Sequence, residues 1–194
     1  MIIGITGGTG CGKTSLLRQI EARGGLVLDC DAVYHRLLRE DREMLAALEA
    51  RFLAAFVDGV LDRKALGREV FAEPAALRDL NAITHPAVKR AVCAKLDEAR
   101  EAGLALAAID AVALLEGGLG ELCDRTVAVT APLEARVARL MLRDGISEEY
   151  ARLRIGAAKS DADFAASCDD ELHNDCPDAE SFAAKCAAYL DMHF

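Results

Sequence analysis

Positively charged residues are scarce in this sequence relative to negatively charged ones. The 194 residues include 23 Lys and Arg against 32 Asp and Glu, which gives a formal net charge of -9 at pH 7. Proteins that bind nucleic acid or anionic membranes through general electrostatics need basic surfaces. The balance argues against both kinds of partner. It also means that an anionic ligand must be held by a local cluster of positive groups.

Long apolar runs are also missing. No stretch is long and charge-free enough to span a bilayer, and the first apolar run is too short for a signal peptide because it ends in a glycine-rich turn. We therefore expect a cytoplasmic protein without membrane contact. The apolar fraction of 53% is sufficient for one sizeable core, or for a core with a small insert, so we expect a globular chain.

Paired cysteines are absent, although the chain contains seven cysteines. Their number is odd and no C-x-x-C pair occurs, which argues against a disulfide framework or a metal cluster. We expect reduced thiols in a cytosol. Cys11 has two interpretations. Its place at a predicted helix N-terminus can lower a thiol pKa and allow redox chemistry, but a small residue at a variable position is the favoured one.

The strongest motif lies within the first 15 residues. An apolar strand runs into the segment Gly7–Thr14, which fits G-x-x-x-x-G-K-[ST], and then into a helix predicted over Lys13–Arg23. Glycines let the backbone approach an anion closely, and the helix start adds unpaired N–H donors. Lys13 can reach the terminal phosphates of a nucleotide, and the Thr14 hydroxyl can ligate Mg²⁺. The predicted nucleotide-binding residues are Gly8, Thr9, Gly10, Cys11, Gly12, Lys13, Thr14 and Ser15.

Two aspartates follow the second predicted strand. Leu26–Leu28 is typical of a short buried strand, and ligands bind beyond the carboxyl ends of parallel strands. Strand alternation would point Asp29 and Asp31 to one side. For Asp29, ligand binding and a cap on the helix predicted over Ala32–Arg39 are equally good interpretations. For Asp31 we favour a functional role.

The remaining pattern alternates strands with helices, which predicts a parallel sheet covered on both faces. Residues 41–100 are helical in pattern, with a turn at Val57–Arg63, one helix starting at Glu73-Pro74 and another starting near Pro86. Strands are predicted at Leu104–Val112, at Thr126–Val129 and around Leu172. Further helices are predicted at Pro132–Arg143, Ser147–Ala158 and Asp178–Met192. The fold class is therefore α/β with a helical insertion.

Three arginines lie at helical spacing after the last long strand: Arg136, Arg139 and Arg143. A solvated, ion-paired helix face is the ordinary interpretation of such spacing. In an acidic chain, however, arginines concentrated here would suit a mobile lid over a transferred phosphate. We favour function for Arg139 and Arg143, and the solvated face for Arg136.

The phosphate loop alone is compatible with a kinase, a GTPase or a motor-type ATPase. The Asn-Lys-x-Asp guanine signature of GTPases is missing, and a large ATPase would need a longer chain. No grouping of histidine and cysteine makes a transition-metal site, so Mg²⁺ carried with the nucleotide is the one metal that we infer. These features favour phosphoryl transfer to a small molecule.

The order of the motifs resembles that of the dephospho-CoA kinase family, from Gly4 to Asn174. The matching segments are the phosphate loop with Asp29-Cys30-Asp31, Gly59–Arg63 for G-x-L-D-R, His85-Pro86 for H-P, Leu114–Glu116 for the end of P-L-L-F-E, the lid arginines Arg139 and Arg143, and Arg154 with Asn174 for R…AD…N. The departures are Val112, Ala113 and Leu115 in the P-L-L-F-E element, Ala158 for a glutamine and Cys168 for an alanine. The departures concern the acceptor pocket and the lid, not the phosphate chemistry.

This resemblance implies a P-loop kinase-type three-layer fold in one domain. Its core would comprise residues 1–40, 103–135 and 160–194, with an acceptor-binding helical insertion at about 41–102 and a lid at about 136–159. The implied reaction is ATP- and Mg²⁺-dependent phosphorylation of the ribose 3′-hydroxyl of dephospho-CoA, the last step of coenzyme A biosynthesis. The implied substrate-binding residues are Asp31, Arg63, His85, Leu114 and Glu116, and Asn174 would lie near the adenine.

The expected catalytic residues are Lys13, Asp31, Arg139 and Arg143. Asp31 would hydrogen-bond the acceptor hydroxyl and take its proton late, because a loose transition state leaves orientation as the main contribution. The expected partners are ATP and dephospho-CoA, with the protein a monomer or weak homo-oligomer. Two alternatives stay open. One is a kinase for another small molecule, and the other is a non-catalytic nucleotide-binding module, which would give no reason for Asp31.

Overall fold

Strand β1 (Ile2–Thr6) lies at the centre of a five-stranded sheet in the computed structural model, which describes residues 1–193. The strand order is β2-β5-β1-β6-β7. Strand β1 runs parallel to β5 (Ala107–Asp110) and to β6 (Arg125–Thr130), and β6 runs parallel to β7 (Asp170–His173). Strand β2 (Leu26–Asp29) lies beside β5. Parallel strands place their carboxyl ends on one edge, which is where such sheets bind ligands.

The chain divides into two compact units. The first combines residues 1–28 with the chain from Asp97 onwards, and the second is Asp29–Leu96. In the first unit, α1 (Lys13–Ala22) packs against α9 (Ala179–His193), α6 (Leu133–Asp144) packs against α7 (Glu148–Gly156), and α8 (Asp161–Ser167) packs against β6. Buried apolar residues of the strands and helices form its core, among them Ile3, Ile5, Leu16, Val127, Val129, Phe182 and Leu190.

The second unit is mainly helical. It contains α2 (Cys30–Glu40), α3 (Arg42–Arg51), the strands β3 (Phe56–Val57) and β4 (Val60–Leu61), and α4 (Arg63–Ala72), and most of α5 (Pro74–Glu101) lies in it. The carboxylates of Asp29, Asp41 and Asp62 accept hydrogen bonds from backbone N–H groups at the starts of α2, α3 and α4. These caps satisfy donors that the helices leave unpaired.

The predicted α/β fold class is confirmed, and so are the strand at Leu26–Leu28 and the helices that begin near Lys13, Ala32 and Pro132. Asp29 is the cap of α2, since its carboxylate accepts from Ala32 N at 3.0 Å. The expectation that strand alternation orients Asp31 is wrong, because the helix already begins at Cys30 and Asp31 lies in its first turn. Strand β5 is also shorter than predicted.

The predicted helix start near Pro86 is wrong, because Pro86 lies inside the single 28-residue helix α5. Proline removes one backbone donor and costs a helix interior roughly 3 kcal/mol. Apolar residues on both sides of the proline pack into one core at helical spacing: Ala76, Leu80, Ile83 and Ala87. Burial of this continuous face explains why the helix runs through the proline instead of ending before it.

Three elements were not predicted: the strands β3 and β4 and the helix α8. The segment assigned to a turn contains the antiparallel pair β3 and β4, joined at Asp58-Gly59 with positive φ values of 51° and 75°. That geometry suits a two-residue hairpin turn, for which Asp-Gly is a strong signal. Helix α8 is short, and its capping box at Ser160 and Asp163 is the signal that could have revealed it. Across residues 1–193 we find no helix with both the length and the apolar character that a bilayer span requires.

Candidate functional site

The loop between β1 and α1 has the backbone shape of an anion cradle. Gly7, Gly10 and Gly12 have φ values of 136°, 79° and 108°, a region that residues with side chains rarely adopt. Gly12 immediately precedes α1 and offers no side-chain cap, so the first N–H groups of the helix stay available to a ligand. Successive amides in such a turn, next to a helix N-terminus, form a concave site for phosphate.

Side chains from distant parts of the chain hold the carbonyl groups of this loop. Arg136 Nε donates to Thr9 O at 2.9 Å, and Arg139 Nη1 donates to Gly10 O at 3.2 Å. Asn174 Nδ2 donates to Cys11 O at 2.9 Å. The loop therefore has its carbonyls occupied by donors from α6 and from the residue after β7.

A cavity of about 400 Å³ lies over the loop. Its walls are formed by the following residues: Gly8, Thr9, Gly10, Cys11, Gly12, Lys13, Thr14, Asp110, Arg139, Leu140, Leu142 and Arg143. The structure thus brings the predicted loop residues together with two of the predicted arginines. Three cationic side chains on one cavity supply the local positive cluster that an acidic chain needs for an anionic ligand.

Lys13 and Asp110 face each other in this cavity. Lys13 Nζ donates to Gly7 O at 2.9 Å and lies 4.0 Å from Asp110 Oδ1. Asp110 is the last residue of β5, so the sheet positions its carboxylate at the ligand-binding edge. The lysine is held within its own loop and can exchange the Gly7 carbonyl for a phosphate oxygen. The hydroxyl-bearing residue next to it, Thr14, is exposed at the start of α1.

The thiol of Cys11 is buried in the apolar core. Cys11 is 1% exposed and belongs to the apolar core that includes Phe182. Burial raises the pKa of the Cys11 thiol, and this outweighs the lowering by nearby Lys13. The buried thiol agrees with the favoured interpretation, a small residue at a variable position, and gives no support to redox chemistry at Cys11.

The second predicted lid arginine, Arg143, is paired at the end of α6. Its Nε donates to Asp144 Oδ1 at 2.6 Å, and Arg154 Nη1 donates to Asp144 Oδ2 at 2.6 Å. The hydrogen bond from Arg143, followed by that from Arg154, lowers the pKa of Asp144 to about 2. One carboxylate thus orients two guanidinium groups, of which Arg143 lines the cavity.

Leu114 and Glu116 follow β5 in the turn that resembles P-L-L-F-E. Leu114 is fully buried and lies against Gly4 of β1, so it supports the turn and cannot touch a ligand in this conformation. Glu116 forms an ion pair with Lys159. Both contacts stay within the first unit.

The remaining predicted residues belong to the second unit. Asp31 is exposed in the first turn of α2, and within residues 1–193 no hydrogen bond or ion pair engages its carboxylate. Arg63 begins α4, and its Nη2 lies 3.1 Å from His35 Nδ1 on α2. His85 is half-buried in α5, and this burial lowers the pKa of its imidazole. Arg63 and His35 therefore join two helices at one place in this unit.

Three residues near the loop escaped the sequence interpretation: Asp110, Arg136 and Asp161. Asp110 falls within the strand predicted at Leu104–Val112, and the sequence pattern assigns it no role. Arg136 was assigned to a solvated face, yet it is 4% exposed and its Nη1 donates to Asp161 Oδ1 at 2.6 Å. The loop glycines next to Arg136, Gly8 and Gly10, are only a weak signal of this contact. Arg136 and Thr9 are 127 residues apart, so no local spacing in the sequence connects them.

Comparisons with known proteins agree with this geometry. The family model described as CoaE, dephospho-CoA kinase, matches residues 1–180. The chain is 39% identical over 175 residues to a protein named dephospho-CoA kinase from Anaeromyxobacter dehalogenans, covering 89% of this chain and 83% of that protein. The crystal structure of TT1252 from Thermus thermophilus matches with a TM-score of 0.82 at 33% identity, covering 100% and 97% of the two chains. The dephospho-CoA kinase of Campylobacter jejuni has the same fold, with a TM-score of 0.68 at 21% identity over 99% and 96% of the two chains.

Proposed function

The chain belongs to the dephospho-CoA kinase family, and we propose that it transfers the terminal phosphoryl group of ATP to the ribose 3′-hydroxyl of dephospho-CoA. It is accordingly an ATP-dependent kinase of coenzyme A biosynthesis. The observation that carries the proposal is the cavity over the phosphate loop, where Lys13, Arg139 and Arg143 face one space. The family supplies the identity of the acceptor.

The phosphate loop would hold the polyphosphate of ATP. Residues Gly8 to Thr14 line the cavity and would offer their backbone amides, and the N-terminus of α1 adds a partial positive charge. Lys13 would leave the Gly7 carbonyl and donate to the β- and γ-phosphates, which keeps the group to be transferred in line with its acceptor. Ser15, in the first turn of α1, would complete the cradle, and Asn174 would lie near the adenine.

The oxygen donors of the cavity fit Mg²⁺. The Thr14 hydroxyl is exposed where α1 begins, and the Asp110 carboxylate lines the same cavity. Hydroxyl and carboxylate oxygens are the hard ligands that Mg²⁺ takes together with phosphate oxygens. Thr14 would be the first protein ligand of the ion. When bound, Mg²⁺ neutralises charge on the β- and γ-phosphates.

Asp31 is proposed as the residue that orients the acceptor hydroxyl and receives its proton. A free aspartate has a pKa of roughly 3.9, which is too low to ionise an alcohol in advance. In a loose transition state the proton can leave late, so the carboxylate contributes mainly by aiming the hydroxyl. An exposed carboxylate without a partner among residues 1–193 is available for that hydrogen bond.

Arg139 and Arg143 are proposed to neutralise charge on the phosphoryl group during transfer. Both line the cavity, and both lie on α6, which begins after β6. Arg139 now donates to loop carbonyls at 3.2 and 3.4 Å, contacts long enough to be exchanged for a phosphate oxygen. The assignment of residues 136–159 to a lid remains our proposal.

The second unit is proposed to receive dephospho-CoA. Arg63, whose side chain reaches His35, offers a positive charge for the acceptor's phosphates, and His85 adds a ring that is neutral at physiological pH because burial lowers its pKa. Glu116 of the first unit, which forms an ion pair with Lys159, is also proposed to bind the acceptor. We further propose that the protein works in the cytoplasm as a monomer or weak homo-oligomer.

The proposal is tested by measuring ADP release from ATP and Mg²⁺ with one acceptor at a time. Dephospho-CoA, shikimate, a nucleoside monophosphate and a sugar acid represent the competing acceptor classes. We expect ADP release with dephospho-CoA alone, together with a product heavier by one phosphoryl group. Faster release with another acceptor would overturn the assignment, and nucleotide binding without turnover would indicate a non-catalytic module.

A further inference from the structure

We propose that Arg136 is a positioning residue for nucleotide binding. Its buried guanidinium holds the phosphate loop from the side opposite the cavity, so that the loop amides face the phosphates. This inference rests on the proposed use of ATP, and it concerns a residue that does not line the cavity. It assigns a role in phosphate recognition to the arginine that the sequence pattern places on a solvated face.

The guanidinium of Arg136 connects the loop, through Asp161, to the end of strand β6. Its side chain is 5% exposed, its Nε donates to Thr9 O at 2.9 Å, and its Nη1 donates to Asp161 Oδ1 at 2.6 Å. The other carboxylate oxygen of Asp161 accepts from the backbone N–H of Ala131, directly after β6, at 3.1 Å. The Thr9 carbonyl is thereby tied, through one arginine and one aspartate, to the end of a central strand.

The hydrogen bond from Arg136 to the Thr9 carbonyl determines the direction of the next backbone N–H, that of Gly10. In a trans peptide the C=O and N–H bonds lie in one plane and point to opposite sides of the C–N bond. Because Arg136 holds the Thr9 carbonyl on its own side, the N–H of Gly10 is directed to the other side. Gly10 lines the cavity, so this amide is one of the donors available to phosphate. A charged donor also polarises the peptide group and strengthens its N–H as a donor.

The loop and Arg136 fit each other closely. A Cβ on Gly8 would collide with Arg136 Nη2, and a Cβ on Gly10 would lie 3.1 Å from Arg136 O. A side chain at Gly8 would therefore displace this guanidinium, and one at Gly10 would crowd the backbone of α6. Arg136 Nη2 is buried against Gly8 without a partner among residues 1–193.

A second ion pair in the same unit, whose arginine side chain is 39% exposed, provides a control. Arg125 pairs with Asp170 and joins β6 to β7, and its Nη2 donates to Asp170 Oδ1 at 3.1 Å. Neither residue lines the cavity. Loss of Arg125 would remove a salt bridge and packing without touching the loop, so it reports what a merely structural arginine contributes.

The test compares Arg136→Met, Arg136→Lys and Arg125→Met by calorimetric titration with ADP and by steady-state kinetics. We expect Arg136→Met to weaken ADP binding and to raise KM for ATP by at least about tenfold, with KM for dephospho-CoA changed by less than about twofold. Arg125→Met should lower the melting temperature yet keep ADP affinity within about twofold. Arg136→Lys should recover only a minor part of the loss, because one ammonium cannot bridge Thr9 and Asp161.

The inference is overturned if Arg136→Met binds ADP as the parent protein does, if Arg125→Met loses ADP affinity equally, or if Arg136→Lys restores it fully. Should Arg136→Met not fold, Asp161→Asn keeps the shape and weakens the tie; unchanged ADP affinity in that variant would also overturn the inference. ADP titration needs no acceptor. If the protein does not phosphorylate dephospho-CoA, the ADP affinities of these variants therefore still test the role of Arg136.

Discussion

At the scale of single residues, the phosphate loop has two sides with opposite roles. Arg136, Arg139 and Asn174 donate to its carbonyl groups, and we propose that the amides that follow these carbonyls bind the phosphates. Lys13 contributes a positive charge to the cavity, and its Nζ lies 4.0 Å from the Asp110 carboxylate. The transfer itself needs one further group that aims the acceptor, and we assign that role to Asp31.

Asp31→Asn should retain ATP binding and lose most of the transfer. The amide keeps the size of the side chain but removes the negative charge and the proton acceptor. We expect kcat to fall by about 10²-fold or more, the range of general base catalysis, with KM for ATP nearly unchanged. Steady-state kinetics with both substrates measures this.

Asp29→Asn is the matched control for that variant. Asp29 caps α2 through Ala32 N, and asparagine caps a helix about as well as aspartate. Turnover and melting temperature should therefore stay close to those of the parent protein. Near-normal turnover in Asp31→Asn, or an equal loss in Asp29→Asn, would remove Asp31 from the mechanism.

Arg139→Met should lower kcat far more than it lowers affinity for ATP. An arginine that neutralises the transferring group contributes about 10³-fold or more in related phosphoryl transfer. Arg152→Met is the control, since Arg152 pairs with Glu134 and Glu148 on the surface and does not line the cavity. Equal kcat in the two variants would contradict a role for Arg139 at the phosphoryl group.

Local motifs explain which of these residues the sequence could reveal. The loop from Gly7 to Thr14 is a continuous pattern whose backbone chemistry is encoded in its own glycines, and the structure has the predicted strand, turn and helix. Arg136 and Asp161 could not be found in this way, because their partners are distant in the chain. Arg136 and Arg139 lie at helical spacing on α6, and this spacing alone could not show that Arg136 is buried while Arg139 lines the cavity.

At the scale of elements, the edge strand β7 is fastened to β6 by a charged cluster. Asp170 accepts hydrogen bonds from Arg125, and from the Tyr189 hydroxyl on α9 at 2.8 Å. The hydrogen bonds from Arg125 lower the pKa of Asp170. Thr126 is held in addition by Asp169, whose Oδ2 accepts from Thr126 N at 2.8 Å. The strand that leads to Asn174 is thus fixed by side chains as well as by its backbone.

Asp170→Asn should destabilise the protein at neutral pH and much less in acid. A carboxylate whose pKa is lower in the folded state contributes stability above its unfolded pKa of about 3.9 and loses it as the pH falls through the folded value. We expect the free energy of unfolding to drop by about 1–2 kcal/mol at pH 7, with the difference shrinking below about pH 4. Urea unfolding over this pH range measures it.

Asp97→Asn is the control, because Asp97 forms an exposed pair with Arg100 and such pairs contribute about 0–1 kcal/mol. A loss in Asp170→Asn that is the same at pH 7 and pH 3.5 would contradict the linkage to Asp170 ionisation. Here the sequence suggested a last short strand around Leu172 but not its fastening, since Arg125 and Asp170 lie in different elements. The two-residue strands β3 and β4 were missed because they are too short to show alternation.

At the scale of the whole molecule, an acidic chain places three cationic groups around one cavity. The net charge is -9, yet Lys13, Arg139 and Arg143 share one cavity. The order of motifs allowed the family and the α/β fold to be predicted, because each motif is short and continuous in sequence. The assignment of residues 41–102 to acceptor binding and of 136–159 to a lid stays a prediction, since it depends on how the protein contacts ligands.

The most direct measurement of the central claim is the structure of the product formed from ATP, Mg²⁺ and dephospho-CoA. Mass spectrometry and ³¹P NMR of the purified product identify how many phosphates were added and where. The account predicts one new phosphomonoester on the 3′-oxygen of the ribose, formed in equal amount with ADP. A phosphate on any other atom, or ATP consumption without a phosphorylated acceptor, would contradict it.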